Sequence, residues 1–259
     1  PGAAISIHSA ESVEVQISSL AITVPFIWNN QRGNVGVGIE WVQQPPGVNK
    51  TQTIVIKDSE IISFNGVLIN SSKGSLTIQR SSLQSVNFGV GLRTRGEITV
   101  VVESTYIGGP FLYNDPLGLS RLVVVSQAIL FMPDESPGKA SISLKNNQIH
   151  FWHIGFSAFS LGQEGWSKAN ALLVGNTIAY NNGPGVLLGG DTIAELRGNT
   201  ISDNSDYGIA LFLPPCASIS SGEITAFRGK VYGEGNIIMN NNKGDLCPPD
   251  YPWPPGFRR

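Results

Sequence analysis

The chain is poor in charge, cysteine and methionine, and it lacks any long apolar run. Of its 259 residues, 14% are charged, and the formal net charge is −2. Neither a basic stripe for nucleic acid nor a polybasic face for anionic lipid is present, so neither partner is expected. No apolar stretch approaches the ~18 residues of a membrane-spanning helix, so no span is expected. No i, i+3, i+4 stripe persists beyond about two turns, which argues against helical architecture. Three histidines, two of them His150 and His153, are too few for a site needing three or four ligands, and no metal or other cofactor is expected. The two cysteines, Cys216 and Cys247, each adjoin proline in a loop-rich terminus. A disulfide between them would close a loop of ~30 residues and contribute about 3–4 kcal/mol on the chain-entropy model. Two unrelated buried thiols are the alternative. A disulfide implies an oxidising compartment and an extracellular or cell-surface (envelope) location.

What the chain does have is self-similarity. Gly175-Asn176-Thr177-Ile178 returns 23 residues later as Gly198-Asn199-Thr200-Ile201, and again as Gly235-Asn236-Ile237-Ile238. The first two copies lead through a polar turn into Gly185-Val186-Leu187-Leu188 and Gly208-Ile209-Ala210-Leu211. A unit this short cannot bury its own apolar face, so a fixed step in this range signals a solenoid. The second-half glycine traces back as Gly36, Gly66, Gly89, Gly118, Gly155, Gly185 and Gly208, at steps of 30, 23, 29, 37, 30 and 23. The step of 23 is the bare coil and the longer steps carry insertions.

Alternating runs such as Ile54-Val55-Ile56, Leu76-Thr77-Ile78 and Ile142-Ser143-Leu144 precede most of these glycines and read as half-buried strands. Each ends in a polar corner of Ser, Thr, Asp or Asn, residues that turn the chain locally and, for Asn, tolerate left-handed backbone. Intervals this short, rich in Ser, Asn and Gly, leave no room for crossover helices. Each strand must therefore pair with its own equivalent one coil later. The expected fold is all-β, a right-handed parallel β-helix of about seven coils, roughly 34 Å long at ~4.8 Å per coil. Residues 1–213 are expected to form the helix and 214–259 a loop-rich C-terminal cap with a Pro-rich tail.

On these repeats the chain resembles the right-handed parallel β-helix repeat proteins of the pectin-lyase-like superfamily, in particular bacterial secreted or envelope proteins with NosD-type repeats, over residues 12–213. The resemblance implies the fold. It leaves the activity open, because such proteins include polysaccharide lyases, glycoside hydrolases, phage tailspikes and adhesins. The motifs Gly-His-Gly, Asn-Thr-Asp and Arg-Ile-Lys of the hydrolases are absent from this sequence. No catalytic set is assigned.

Two function classes follow. In the first, the chain is a secreted or cell-surface structural protein. The strand-like run Ala4-Ile5-Ser6-Ile7 lies almost at the start of the chain, with no amphipathic helix before it. Its open edge invites a second copy, and head-to-tail contacts that do not close propagate as filaments. In the second, the chain binds or degrades extracellular polysaccharide. The densest aromatic segment is His150-Phe151-Trp152-His153, with Phe156, Phe159, Glu164 and Trp166 close behind. Aromatic faces flanked by polar groups suit sugars, and a nearby Glu suits acid–base work. The bland alternative is an irregular coil filled by large side chains. Asp203 and Asp206 share one turn and are the best-placed carboxylates, with a solvated corner as their bland reading. The interruptions at 28–50, 108–116 and 130–139 are where loops would carry a ligand.

Overall fold

The computed structural model describes residues 3–9, 12–24, 37–43, 51–109, 126–133, 139–160, 168–217 and 226–257. Along these, three short faces alternate, and every strand pairs in parallel with its equivalents in the neighbouring coils. The first face holds β2 (Val13–Ser18), β5 (Gln52–Lys57), the ends of β6 (Glu60–Gln79) and β7 (Ser82–Glu103), β10 (Lys139–Lys145), β13 (Lys168–Val174), β16 (Ile193–Arg197) and β19 (Lys230–Glu234). The second holds β3 (Ala21–Thr23), the beginnings of β6 and β7, β8 (Tyr106–Gly108), β11 (Gln148–His150), β14 (Thr177–Ala179), β17 (Thr200–Ser202) and β20 (Ile237–Met239). The third holds β1 (Ala3–Ser9), β4 (Val37–Gln43), the middles of β6 and β7, β9 (Gln127–Pro133), β12 (Ile154–Phe159), β15 (Val186–Gly189), β18 (Tyr207–Leu211) and β21 (Gly244–Cys247). Parallel crossovers of L-residues run right-handed, and the molecule is a right-handed parallel β-helix.

Eight coils run from β2 to β21, one more than the repeat glycines suggest, with β1 leading the third face. The eighth coil, β19 to β21, lies inside the segment 214–259. Its third face escapes the glycine series because Asp245 stands where most earlier coils have Gly.

Alternation decides which side chains point inward. The second face contributes one inward residue per coil, including Ile61, Leu83, Ile107, Ile149, Ile178 and Ile201, each wholly buried. Burying each such side chain contributes about 2 kcal/mol, and the stack forms one continuous core.

Glycine opens the third face for a steric reason. A Cβ on Gly66 would lie 2.4 Å from the carbonyl oxygen of Gly89, and one on Gly155 would lie 2.6 Å from that of Gly185. The register corrects two members of the expected series. Gly38 rather than Gly36 pairs opposite Gly66, and Ala128 rather than Gly118 takes the place between Gly89 and Gly155. Gly36 and Gly118 lie outside the described residues.

The corner between first and second faces is a left-handed residue followed by an inward polar one. Asp58, Arg80, Ser104, Asn146, Gly175, Gly198 and Gly235 all have positive φ. The next residues form a ladder along the rod. Ser59 N donates to Ser81 Oγ, Ser81 N to Thr105 Oγ1, Thr105 N to Asn147 Oδ1, and the chain of bonds continues through Asn176 and Asn199 to Asn236.

Behind β21, Cys216 and Cys247 are disulfide-bonded. The Pro-rich tail folds back so that Trp253 and Phe257 join the core, with Phe257 over Gly233 of β19. Among the described residues no helix is long and apolar enough to cross a membrane.

Candidate functional site

The corner between second and third faces repeats the same device in fewer coils. Phe151, Tyr180, Asp203 and Asn240 take positive φ there. The residue after each points inward, and Trp152 N, Asn181 and Asn204 each donate to the Asn Oδ1 of the following coil, ending at Asn241. Trp152 is therefore a ladder member. Its side chain is wholly buried, and its indole N–H donates to Ile107 O at 3.1 Å, as Asn204 Nδ2 donates to Ile178 O. Trp152, expected on a ligand face, is corrected to a core position: the inward slot of this corner takes whatever follows the left-handed residue.

The left-handed residues themselves are turned outward, and this creates the site. Phe151 and Tyr180, one coil apart, stack with centroids 6.0 Å apart and planes 16° apart. Tyr180 is 55% exposed. His150, at the end of β11, makes edge contacts with both rings at 5.8 and 5.9 Å, and with Tyr106 of the preceding coil at 6.3 Å. Small neighbours make this possible. His150 is in register with Gly108 on one side and Ala179 on the other. The Tyr106 ring lies over Gly108, where a Cβ would come within 2.7 Å of its Cε1. Tyr106, His150, Phe151 and Tyr180 thus form an aromatic shelf on the outside of coils four to six.

His150 Nε2 is buried and has no hydrogen-bond partner among the described residues, and burial holds the imidazole below its ordinary pKa. His153 immediately precedes the third-face strand β12. Burial lowers its pKa too, against the opposing field of Asp206 two coils on. Asp206 is bridged to Lys243 at 3.1 Å through Oδ2, while its Oδ1 is buried without a partner among the described residues. Asp203 is exposed in the same corner column as Phe151 and Tyr180. Of the expected residues, His150 is brought onto the shelf, His153, Asp203 and Asp206 lie along its edge, and Trp152 is removed to the core. Glu164 and Trp166 lie outside the described residues, as do most of the three loop segments. Tyr106 and Tyr180 are shelf residues that the sequence reading does not single out. The 23-residue step carries a signal for Tyr180, since Ala179-Tyr180-Asn181 aligns with Ser202-Asp203-Asn204.

Comparison with family models agrees with the architecture over part of the chain. Residues 135–247 match the family model described as right handed beta helix region. No curated protein matches the chain. Among solved structures, the chain is similar to the Azotobacter vinelandii mannuronan C-5 epimerase AlgE4 A-module. That alignment has 13% identity and a TM-score of 0.32, and covers 95% of this chain and 78% of that one. The right-handed β-helix expected from the repeats is borne out.

Proposed function

We propose that the protein is a rigid β-helical scaffold whose outer surface binds polysaccharide, with the aromatic shelf as its contact. The observation that carries this reading is the exposed Tyr180 ring stacked on the half-buried Phe151, beside His150 and Tyr106. Aromatic faces left open to solvent and bordered by polar groups match the apolar C–H faces and hydroxyl rims of sugars. A β-helix holds such rings at a fixed spacing on strands and short corners, so little side-chain freedom is lost on binding. The Cys216–Cys247 bond supports an extracellular or cell-surface setting, where such polymers occur. Affinity electrophoresis of the native protein through gels carrying a polysaccharide panel tests the reading. Tyr180→Ala should weaken retardation up to about tenfold while leaving the melting temperature unchanged, because the ring is outside the core. Equal retardation of wild type and Tyr180→Ala by every polymer would sink the shelf.

Head-to-tail assembly through Ala4, Ile5, Ser6 and Ile7 is the second reading. It is supported by β1, β2 and β3, each of which pairs only toward the following coil among the described residues. The tail weighs against it. Trp253 and Phe257 close the interior at the opposite end, and head-to-tail stacking needs complementary edges at both ends. Fibres in negative-stain micrographs of concentrated protein would reverse this preference.

A further inference from the structure

A second concavity adjoins the shelf. A groove of ≈ 810 Å³ runs along the first corner and the leading edge of the second face, from coil two to coil five. Its lining includes Glu60, Ser82, Ser104, Tyr106, Asn146 and Gln148. The hydroxyls of Ser82 and Ser104 and the amides of Asn146 and Gln148 are not part of the corner ladder, whose members here are Ser59, Ser81, Thr105 and Asn147. Tyr106 belongs to both features. It forms one wall of the groove, and its ring meets His150 of the shelf.

Resting on the polysaccharide reading above, we infer that groove and shelf are one oblique track, and that its ligand is an uncharged, hydroxyl-rich polysaccharide rather than a polyuronate. The track enters at the first corner of coil two, crosses the three-residue second face at Tyr106 and leaves at Tyr180 of coil six. Four inter-coil steps of ~4.8 Å give it ~19 Å along the rod, enough to engage several consecutive residues of a polymer.

Charge selects the ligand class. Anionic polymers are held by arginine or lysine clamps that meet each carboxylate with charge-assisted hydrogen bonds. The groove offers one guanidinium, Arg80, and it is already paired with a carboxylate: Nε and Nη2 donate to Asp58 Oδ1 and Oδ2 at 2.7 Å each. The remaining formal charge in the lining is Glu60, which repels a carboxylate. The shelf adds aromatic faces and a histidine that burial keeps neutral. Such a surface, with hydroxyl and amide edges, stacking faces and no unpaired cation among its described residues, suits neutral sugars.

Affinity electrophoresis against a panel of neutral plant, fungal and bacterial polysaccharides, with polygalacturonate and alginate alongside, separates the possibilities. The expected result is retardation by at least one neutral polymer and by neither polyuronate. A Ser82→Ala/Gln148→Ala variant should bind that neutral polymer about tenfold more weakly, as loss of two modest hydrogen bonds predicts. Both positions are on strands and outside the core, and a thermal melt checks that the variant folds. Tighter binding of a polyuronate, still lost in Tyr180→Ala, would overturn the ligand class and keep the shelf. Neutral binding lost in Tyr180→Ala but untouched by Ser82→Ala/Gln148→Ala would overturn the continuous track and keep the shelf. Retardation by no polymer would remove the polysaccharide reading itself, and the inference with it.

Discussion

Coils two to four and coils five to eight turn the same first corner with different chemistry. In the later coils the ladder residue is asparagine. Asn176 Oδ1 accepts from both Asn147 N and Asn147 Nδ2, at 3.0 and 2.9 Å. Its own Nδ2 donates back to Leu144 O and forward to Asn199 Oδ1, both at 2.9 Å. One side chain thus ties together three coils. In the earlier coils, Ser81 Oγ accepts from Ser59 N at 3.2 Å but donates to Gln79 O within its own coil. Thr105 does the same with Glu103 O. A hydroxyl bridges two coils where a carboxamide bridges three, so identical backbone geometry is held with unequal strength.

The largest expected difference follows directly. Replacing the buried Asn176 by alanine removes four hydrogen bonds and leaves dry donors and acceptors behind, each worth about 1–3 kcal/mol. Asn176→Ala should therefore lower stability by on the order of 4 kcal/mol. Ser81→Ala removes one ladder bond and one local bond, and should lower it by about 1 kcal/mol. Denaturant titration followed by circular dichroism measures both. Similar losses in the two variants would erase the distinction between the two halves.

A smaller effect separates the residues just before the ladder. Coils two to four hold Asp58, Arg80 and Ser104 in left-handed backbone, while coils six to eight use Gly175, Gly198 and Gly235. A Cβ on Gly198 would meet nothing within 4 Å, so Gly198→Ala tests backbone strain with no steric clash. It should destabilise by about 1 kcal/mol, the strain of a side chain in this region. Ser104→Gly should shift stability the opposite way, by less, because glycine also loses more entropy on folding. If Gly198→Ala is neutral, glycine at this corner is not there for its conformation.

The same contrast explains which coils are legible in the sequence and which are not. Gly-Asn-Thr-Ile announces a left-handed residue, a carboxamide ladder and an inward aliphatic in four letters, so coils six to eight declare themselves. Coils two to four meet the same three requirements with Asp-Ser, Arg-Ser and Ser-Thr pairs, which read as ordinary polar turns. The disulfide is legible because only two cysteines exist and both flank one repeat. The shelf is half legible. His150 and Phe151 are conspicuous, but inward and outward at the second corner depend on which residue is left-handed, and that assigns Trp152 to the core and Tyr180 to the surface. Tyr106 joins them only through the pairing of β8 with β11, across an insertion that no local pattern bridges.

The smallest expected effect is on pH and also falls unevenly along the rod. Two of the three histidines, His150 and His153, sit at the second corner of coil five, and burial lowers both pKa values below the ordinary 6.5. The unfolded chain takes up protons near 6.5 while the folded chain refuses them until lower pH. Between those two points the unfolded state holds more protons, so stability rises with pH. Acidification from pH 7.5 through 6.5 should therefore weaken the fold. The loss levels off only below the folded pKa values. The field of Asp206 opposes the shift at His153, so His150 should dominate, and His150→Gln should flatten most of the slope. Hydrogen exchange at pH 7.5 and 5.5 locates the effect. Protection should drop first around β11 and β12, while β5 and the ends of β6 and β7 keep theirs. A uniform loss along all eight coils would mean that scattered surface carboxylates, not the buried imidazoles beside the shelf, set the acid response.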